Sequence, residues 1–239
     1  MKSTSWFILK FGGSSVADPA HWPVITDIVK SKLKAGYRPL LVLSALKNVS
    51  NALEALLHQA SAGVFPMALT QLQELHLGFA SKLGLSLESS LEPYFTQLHN
   101  YCEAIALSGK VTPQDHAKVL AIGELLSTTI GAAYLNKQGV ETLWLDARSC
   151  LKTLEKNDGS DDNWHHFTSA SCEYTPDIEL QKQLAEKSQD TSQHVLVTQG
   201  FIASDTQGET VLLGREGSDT SAAYFAAKLL AAGIEIWTD

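Results

Sequence analysis

Two glycine-containing turns near opposite ends of the chain carry residue types suited to holding an anion. The segment Gly214-Arg-Glu-Gly-Ser-Asp-Thr-Ser runs into an apolar helix, so Arg215 and Asp219 lie at a helix N-terminus. Unpaired backbone N–H groups and the helix dipole favour anions at such a position. The segment Lys10-Phe-Gly-Gly-Ser-Ser closes an apolar run that predicts a buried strand. Two such turns predict one phosphate-handling site.

Neither turn has the spacing of the commoner nucleotide motifs. A P-loop places its lysine after the glycines, whereas Lys10 precedes Gly12 and Gly13, and no Gly-x-Gly-x-x-Gly pattern follows. Taken alone, Gly-Gly-Ser after a strand is also what a plain tight turn requires. The function of the two turns therefore depends on the rest of the chain.

The elements that must position these turns are predicted to form an α/β fold. Strand-like runs alternate with helical patterns, which favours a mainly parallel sheet covered by helices on both faces. The runs lie at residues 6–11, 39–44, 142–145, 194–198 and 234–238. Because ligands gather outside the carboxyl ends of parallel strands, we expect Lys10, Gly12, Gly13 and Ser44 along one edge of the sheet.

Helix signals occupy most of the remaining chain. One helix is predicted from Asp18 toward Gly36 and another from Asn48 or Ser50. Residues 67–107 read as helical with breaks at Gly84 and near Pro93, and Thr112-Pro113 starts a further, strongly apolar helix.

Two loops stand out between these elements. Residues 204–209 predict a hairpin tip, and residues 157–176 predict an irregular surface insertion. The adjacent His165 and His166 in that insertion are better explained as solvated side chains than as a metal pair.

Glu124 is a single carboxylate in an otherwise apolar, small-residue helix. It must reach solvent, pair, or bind a ligand, because burying an unpaired charge costs several kcal/mol. One interpretation puts it on the wet face of an amphipathic helix. The other gives it the ammonium of a ligand.

Arg215 and Asp219 also have two interpretations. They could form a mutual salt bridge with Asp219 as a helix cap. Alternatively, Arg215 holds a carboxylate or phosphate while Asp219 organises a lysine or Mg²⁺. Ser44, at a strand end, and Ser50, at a helix start, are ordinary caps when considered alone.

The composition excludes several classes of function. A net charge of −8 with scattered Lys and Arg argues against nucleic-acid binding. Three cysteines without metal spacing indicate reduced thiols and a cytoplasmic protein. Apolar stretches are interrupted before about eighteen residues, so neither a signal peptide nor a membrane span is expected.

Six ordered segments resemble the aspartokinase branch of the amino-acid kinase family. They are Lys10-Phe-Gly-Gly-Ser-Ser-Val-Ala-Asp, Val42-Leu-Ser-Ala with Val49-Ser-Asn, Ile122-Gly-Glu-Leu-Leu-Ser-Thr, Thr198-Gln-Gly-Phe-Ile, Leu213-Gly-Arg-Glu-Gly-Ser-Asp-Thr-Ser-Ala-Ala and Glu235-Ile-Trp-Thr-Asp. The resemblance implies a three-layer αβα sandwich. It also implies transfer of the ATP γ-phosphoryl group to the side-chain carboxylate of L-aspartate, the first step toward lysine, methionine and threonine.

The resemblance assigns roles residue by residue. Lys10 would stabilise the transferring phosphoryl group, and Asp219 would orient that lysine. Gly12, Gly13 and Ser14 would cradle the phosphate, while Thr238 and Asp239 would begin the nucleotide contacts. The substrate residues would be Arg215 for the α-carboxylate, Glu124 for the ammonium, and Ser44 and Ser50 lining the aspartate site.

The resemblance also sets expectations for the whole protein. ATP with Mg²⁺ is expected, with no metal site of the protein's own, no nucleic-acid or membrane partner, and a homodimer or higher homo-oligomer. Residues 1–239 are expected to be an incomplete catalytic domain, truncated in the nucleotide subdomain and inactive alone. Which domains follow, such as regulatory ACT domains or a homoserine dehydrogenase, stays open.

One departure from the family pattern concerns the phosphate turn. The family usually carries Gly-Arg-Gly-Gly-Ser-Asp, whereas Glu216 replaces a glycine here and adds negative charge beside an anion site. Two alternatives to aspartate kinase are a related kinase acting on glutamate, acetylglutamate or a nucleoside monophosphate, and a non-catalytic aspartate-binding or dimerisation module.

Overall fold

A computed structural model describes residues 5–154, 163–187 and 194–238. The strands are β1 Trp6–Phe11, β2 Arg38–Leu43, β3 Thr142–Leu145, β4 Val195–Gln199, β5 Ile202–Ser204, β6 Thr210–Leu212 and β7 Gly233–Trp237. The helices are α1 Gly13–Ala17, α2 Trp22–Lys34, α3 Val49–Ser61, α4 Pro66–Lys82, α5 Glu88–Ser108, α6 Pro113–Lys137, α7 Asn163–Thr168, α8 Ile178–Lys187 and α9 Gly217–Lys228. Short 3₁₀ turns occupy Pro19–His21 and Ala147–Ser149.

The five predicted strands form one parallel sheet in the order β3-β4-β2-β1-β7. Residues Ile8, Leu9, Leu40 and Leu41 are fully buried on neighbouring strands, which is typical of parallel strands covered on both faces. The predicted hairpin is confirmed, because β5 and β6 pair antiparallel around residues 205–209.

Helices α6 and α9 cover opposite faces of this sheet. A side chain at Gly131 of α6 would lie 2.8 Å from the Leu43 side chain of β2. Lys10 contacts Asp219 of α9, and Lys10 pairs in register with Val42, the neighbour of Leu43. Successive strand residues point to opposite faces, so Leu43 and α6 lie on the face of the sheet opposite to Lys10 and α9. The predicted αβα sandwich is therefore confirmed.

Helix α6 is the central helix of the helical layer. Its start is the predicted one, since Thr112 and Asp115 form a reciprocal capping box. Gly123 lets it approach α3 closely, because a Cβ there would meet Ala45, Leu53 and Val49 at 3.1–3.2 Å. Among the described residues α6 alone has the length and apolarity to cross a membrane, but 83% of that stretch is buried inside the protein. Its apolar surface is therefore used in the core.

The predicted helix break near Pro93 is wrong. The break expected near Pro93 does not occur, since Pro93 lies inside α5, where buried Leu91 and Phe95 on either side hold the helix to the core. The proline removes only one backbone bond, and the real interruption contains Gly84 at φ +70°.

The predicted irregular insertion contains a short helix, while residues 169–176 form no regular element. Residues 163–168 form α7, which buries Phe167, and Ser169 bridges to Leu213. Apolar contacts made by Phe167 outweigh the polar composition of this segment. Residues 157–162 lie outside the described residues.

Candidate active site

A cleft of ≈ 730 Å³ opens where β1 and β2 end, between the β2–α3 loop, α6 and the N-terminus of α9. Eight of the eleven residues expected at a substrate or phosphate site line it: Lys10, Gly12, Gly13, Ser44, Ser50, Glu124, Arg215 and Asp219. These residues are separated by up to 209 positions in the chain. The sheet topology brings them together because parallel strands deliver their carboxyl ends to one edge.

Lys10 and Asp219 form the ion pair at the base of the cleft. Lys10, in β1, is buried, and its Nζ lies 2.5 Å from Oδ1 of Asp219 in the first turn of α9. The alternative salt bridge between Arg215 and Asp219 is therefore wrong, since Asp219 is paired with the lysine. This contact fixes the ammonium of Lys10 in the cleft.

The glycine turn after β1 leaves room beside that ammonium. A Cβ at Gly12 would lie 3.5 Å from Lys10 Nζ, and one at Gly13 would lie 2.9 Å from the Ala45 carbonyl oxygen. The turn is held on its other side by the Gly12 N–H, which donates to the Trp237 carbonyl at 3.0 Å. Backbone N–H groups at such a turn suit the oxygens of an anion. Ser14 follows in α1 but does not line the cleft.

Glu124 is buried in the wall of the cleft, with only 3% of its surface exposed. The wet-face interpretation is therefore wrong. Its Oε1 accepts a hydrogen bond from the Ala45 N–H at 3.3 Å, whereas its Oε2 is buried with no partner among the described residues. Burial raises the pKa of Glu124 to about 8, although the bond from Ala45 acts in the opposite direction. A carboxylate in this state suits a ligand cation.

Arg215 and Glu216 lie on the opposite rim of the cleft, before α9. Arg215 is exposed, and no described residue pairs with its guanidinium. Glu216 is exposed and takes a left-handed conformation at φ +56°. This conformation favours glycine, which gives a backbone reason for the glycine expected there.

The remaining predicted residues take different positions. Ser44 and Ser50 line the cleft from the end of β2 and the first turn of α3. Thr238 lies beyond the Gly12 turn, with its Cγ2 4.0 Å from where a Gly12 Cβ would be, and does not line the cleft. Asp239 lies outside the described residues.

Sequence reasoning missed three ionisable residues that line the cleft: Lys47, Glu54 and His116. Nε2 of His116 lies 2.8 Å from Oε1 of Glu54, which joins α6 to α3. His116 precedes Glu124 by eight residues, about two helical turns, so a search of Glu124's own helix face would have found it. Lys47 follows the carboxyl end of β2, and ligands of a parallel sheet are expected to bind at such strand ends.

The described residues place no metal-binding cluster beside these side chains. The parts of the chain that the structure describes hold no group of three or more His, Cys, Asp or Glu side chains able to bind a metal ion. His166 instead lies 3.4 Å from Asp205, and its ring packs on Phe167.

Comparison with known proteins gives a family match over nearly the whole chain. The model of the amino acid kinase family matches residues 5–239. The chain is 31% identical to lysine-sensitive aspartokinase 3 of Escherichia coli over 97% of its own length. It is 30% identical, over its full length, to the chloroplastic bifunctional aspartokinase/homoserine dehydrogenase 1 of Arabidopsis thaliana.

The solved structures give the same picture. E. coli aspartokinase III in complex with aspartate and ADP superposes with a TM-score of 0.80 and 30% identity over 98% of this chain. The aspartate kinase of Clostridium acetobutylicum, at 21% identity and a TM-score of 0.68, supports the fold. The chain spans 48% of the length of the E. coli relative and 25% of the Arabidopsis one.

Proposed function

Because this chain belongs to the amino acid kinase family, we propose that it supplies the acceptor site of an aspartate kinase. In the whole protein, the reaction transfers the γ-phosphoryl group of ATP to the side-chain carboxylate of L-aspartate. The observation that carries the proposal is the buried Glu124, whose Oε2 has no partner among the described residues, in the same cleft as Arg215, whose guanidinium pairs with no described residue. An α-amino acid needs one anion and one cation arranged in this way.

Substrate recognition follows from these two charges. Arg215 holds the α-carboxylate through charge-assisted, bidentate hydrogen bonds. Glu124 ionises when the substrate ammonium arrives, because a nearby positive charge favours the charged carboxylate. Ser44 and Ser50 lie on the wall that the side chain of the amino acid would face.

Phosphoryl transfer then depends on positioning and positive charge. The side-chain carboxylate of aspartate attacks the γ-phosphorus, a new P–O bond forms, and the bond to the β-phosphate oxygen breaks to release ADP. Lys10, fixed by Asp219, stabilises the charge on the transferring group, and the N–H groups of the turn from Gly13 onward hold its oxygens.

The nucleotide side of the site is the less enclosed one. Thr238, beside the Gly12 turn, and Asp239 would begin the nucleotide contacts, and the exposed edge of β7 lies next to them. The Mg²⁺ that accompanies ATP would neutralise phosphate charge. It usually stays on substrate phosphates with several waters, which suits a cleft without a cluster of metal-binding side chains in its described part.

The same proposal extends to the wider role of the protein. It acts at the start of lysine, threonine and methionine synthesis, as a homodimer or larger homo-oligomer. Its buried, unpaired Cys102, Cys150 and Cys172 fit a reducing compartment, the cytoplasm.

The test compares acceptors in a coupled ADP assay on the longest natural form of the protein. ADP formation should require L-aspartate and should not occur with L-glutamate, N-acetylglutamate or a nucleoside monophosphate. Activity with one of these instead would identify a different kinase of the family. Aspartate binding without any turnover in that form would identify a binding module.

A further inference from the structure

Lys47 is a cation of the cleft to which the proposed function gives no role. Lys10 lies 2.5 Å from Asp219, so this pair presents little net charge to a ligand. Glu54, which lies 2.8 Å from His116, and Glu216 add carboxylates, and Arg215 is a lone cation on one rim. Only Lys47 adds positive charge to the described residues on the opposite rim.

The backbone of Lys47 is fixed against the phosphate turn. Its N–H donates to the Gly13 carbonyl at 3.1 Å, and its Cα would lie 3.6 Å from a Cβ at Gly13. The same loop is anchored to α6 twice, by the Ala45 N–H on Glu124 and by the Ser127 hydroxyl on the Ser44 carbonyl at 2.7 Å. A residue held this way presents its side chain from a rigid base.

The side chain of Lys47 is available to a ligand. It is exposed, it lines the cleft, and no described residue accepts a hydrogen bond from its ammonium. A lysine ammonium on its flexible four-carbon stem is a point charge that serves phosphates well.

Glu216 has the opposite effect on the facing rim. It sits at the N-cap of α9, where its carboxylate is attracted by the positive end of the helix dipole. It therefore competes with any anion for that position and repels it. Glycine, which the left-handed backbone would favour, carries no such charge.

We propose that Lys47 is a further ligand of the phosphoryl group bound at the Gly12–Gly13 turn, and that it offsets the negative charge of Glu216. This rests on the proposed function in that a phosphoryl group is what the turn binds. The two side chains act as opposed charges on the rims of one cleft.

The test is a double-variant cycle on the 239-residue chain with inorganic pyrophosphate as the probe, measured by titration calorimetry at low salt. Lys47→Met should weaken pyrophosphate binding by roughly fivefold to tenfold, and Glu216→Gln should strengthen it severalfold. The combined variant should return near the starting affinity. Lys82→Met, which removes an exposed lysine of α4 that does not line the cleft, should change nothing.

Two results would overturn the proposal: no pyrophosphate binding by the unsubstituted chain, or the same affinity in Lys47→Met as in Lys82→Met. Titration with L-aspartate separates this outcome from the fate of the proposed function. If L-aspartate fails to bind while pyrophosphate binding depends on Lys47, the aspartate assignment fails and the role of Lys47 stands. If L-aspartate binds and Lys47→Met leaves pyrophosphate binding unchanged, only the role of Lys47 is lost.

Discussion

The inner wall and the outer rims of the cleft are built in different ways. On the inner wall, Lys10 and Glu124 are buried, and each is held by a specific partner, Asp219 or the Ala45 N–H. On the rims, Lys47, Arg215 and Glu216 are exposed, and their charged groups have no described partner.

This difference separates charged residues that affect both protein stability and ligand binding from those that affect binding alone. A buried charge contributes to stability as well as to binding, because removing its partner leaves it uncompensated. An exposed charge at a rim affects ligands with little effect on the fold. Substitutions on the inner wall should therefore change stability as well as activity, whereas substitutions on the rims should change ligand binding with little change in stability.

The largest effect is expected on the inner wall, from Lys10→Met. It removes the cation that stabilises the transferring group, so kcat in the longest natural form should fall on the order of 10²- to 10³-fold. Thermal stability should also fall, because Asp219 loses its partner. The Lys10→Met/Asp219→Asn variant should recover the stability without the turnover. Recovery of both would assign the ion pair a purely structural role.

Glu124→Gln should weaken aspartate binding by about tenfold to a hundredfold, the value of a hydrogen bond to a charged group. It should not unfold the protein, since the amide keeps the volume and loses the charge. An unfolded variant, or one that binds aspartate normally, would contradict this expectation.

The stability of Glu124→Gln should also differ in its pH dependence. In the folded protein the pKa of Glu124 is raised from 4.5 to about 8. The folded state therefore holds a proton that the unfolded state has lost, and this group lowers stability as pH rises from about 4.5 to 8. Burial lowers the pKa of His76 from 6.5, so protonation of His76 changes the stability mainly at acidic pH. The change in stability between pH 7 and 8 is therefore assigned to Glu124. Urea unfolding between pH 7 and 8 should show a decline that Glu124→Gln lacks.

At the rim, Arg215→Ala should raise the aspartate KM by about tenfold or more while leaving the ATP KM nearly unchanged. Its melting temperature should match that of the parent protein, because the guanidinium has no described partner to lose. Equal changes in both KM values would remove Arg215 from the aspartate site.

The smallest effect is expected from Glu216→Gly. Relief of the left-handed conformation should raise stability by up to roughly 1 kcal/mol, measured by urea unfolding. Glu216→Gln separates backbone from charge, since it keeps the strain and removes only the carboxylate. A stability gain in Glu216→Gln equal to that in Glu216→Gly would show that charge, not φ, is responsible.

The sheet was predicted well because its five strands are short, continuous apolar runs, a pattern that favours buried parallel strands. Sequence-based prediction failed at Pro93, where packing of Leu91 and Phe95 outweighs the local preference, and at residues 163–168, where burial of Phe167 alone anchors a largely exposed polar helix. Tertiary contacts of this kind leave no local pattern.

The candidate site was predictable where residue type and position both carry information, as for Lys10 and Arg215. Whether Glu124 faced solvent or the cleft could not be decided, since its helix is apolar on nearly every side. Lys47 and His116 were missed because an exposed lysine and a lone histidine are ordinary until the fold places them in one cleft.

The central claim is that Glu124 receives the ammonium of L-aspartate, and proton release on binding tests it most directly. With a pKa of about 8, Glu124 is mostly protonated at pH 7 in the empty cleft and must ionise to pair with the ligand. Calorimetric titration of L-aspartate at pH 7, in buffers of different ionisation enthalpy, should show release of close to one proton. The release should disappear in Glu124→Gln. Binding without net proton exchange, or with the same release in Glu124→Gln, would contradict the claim.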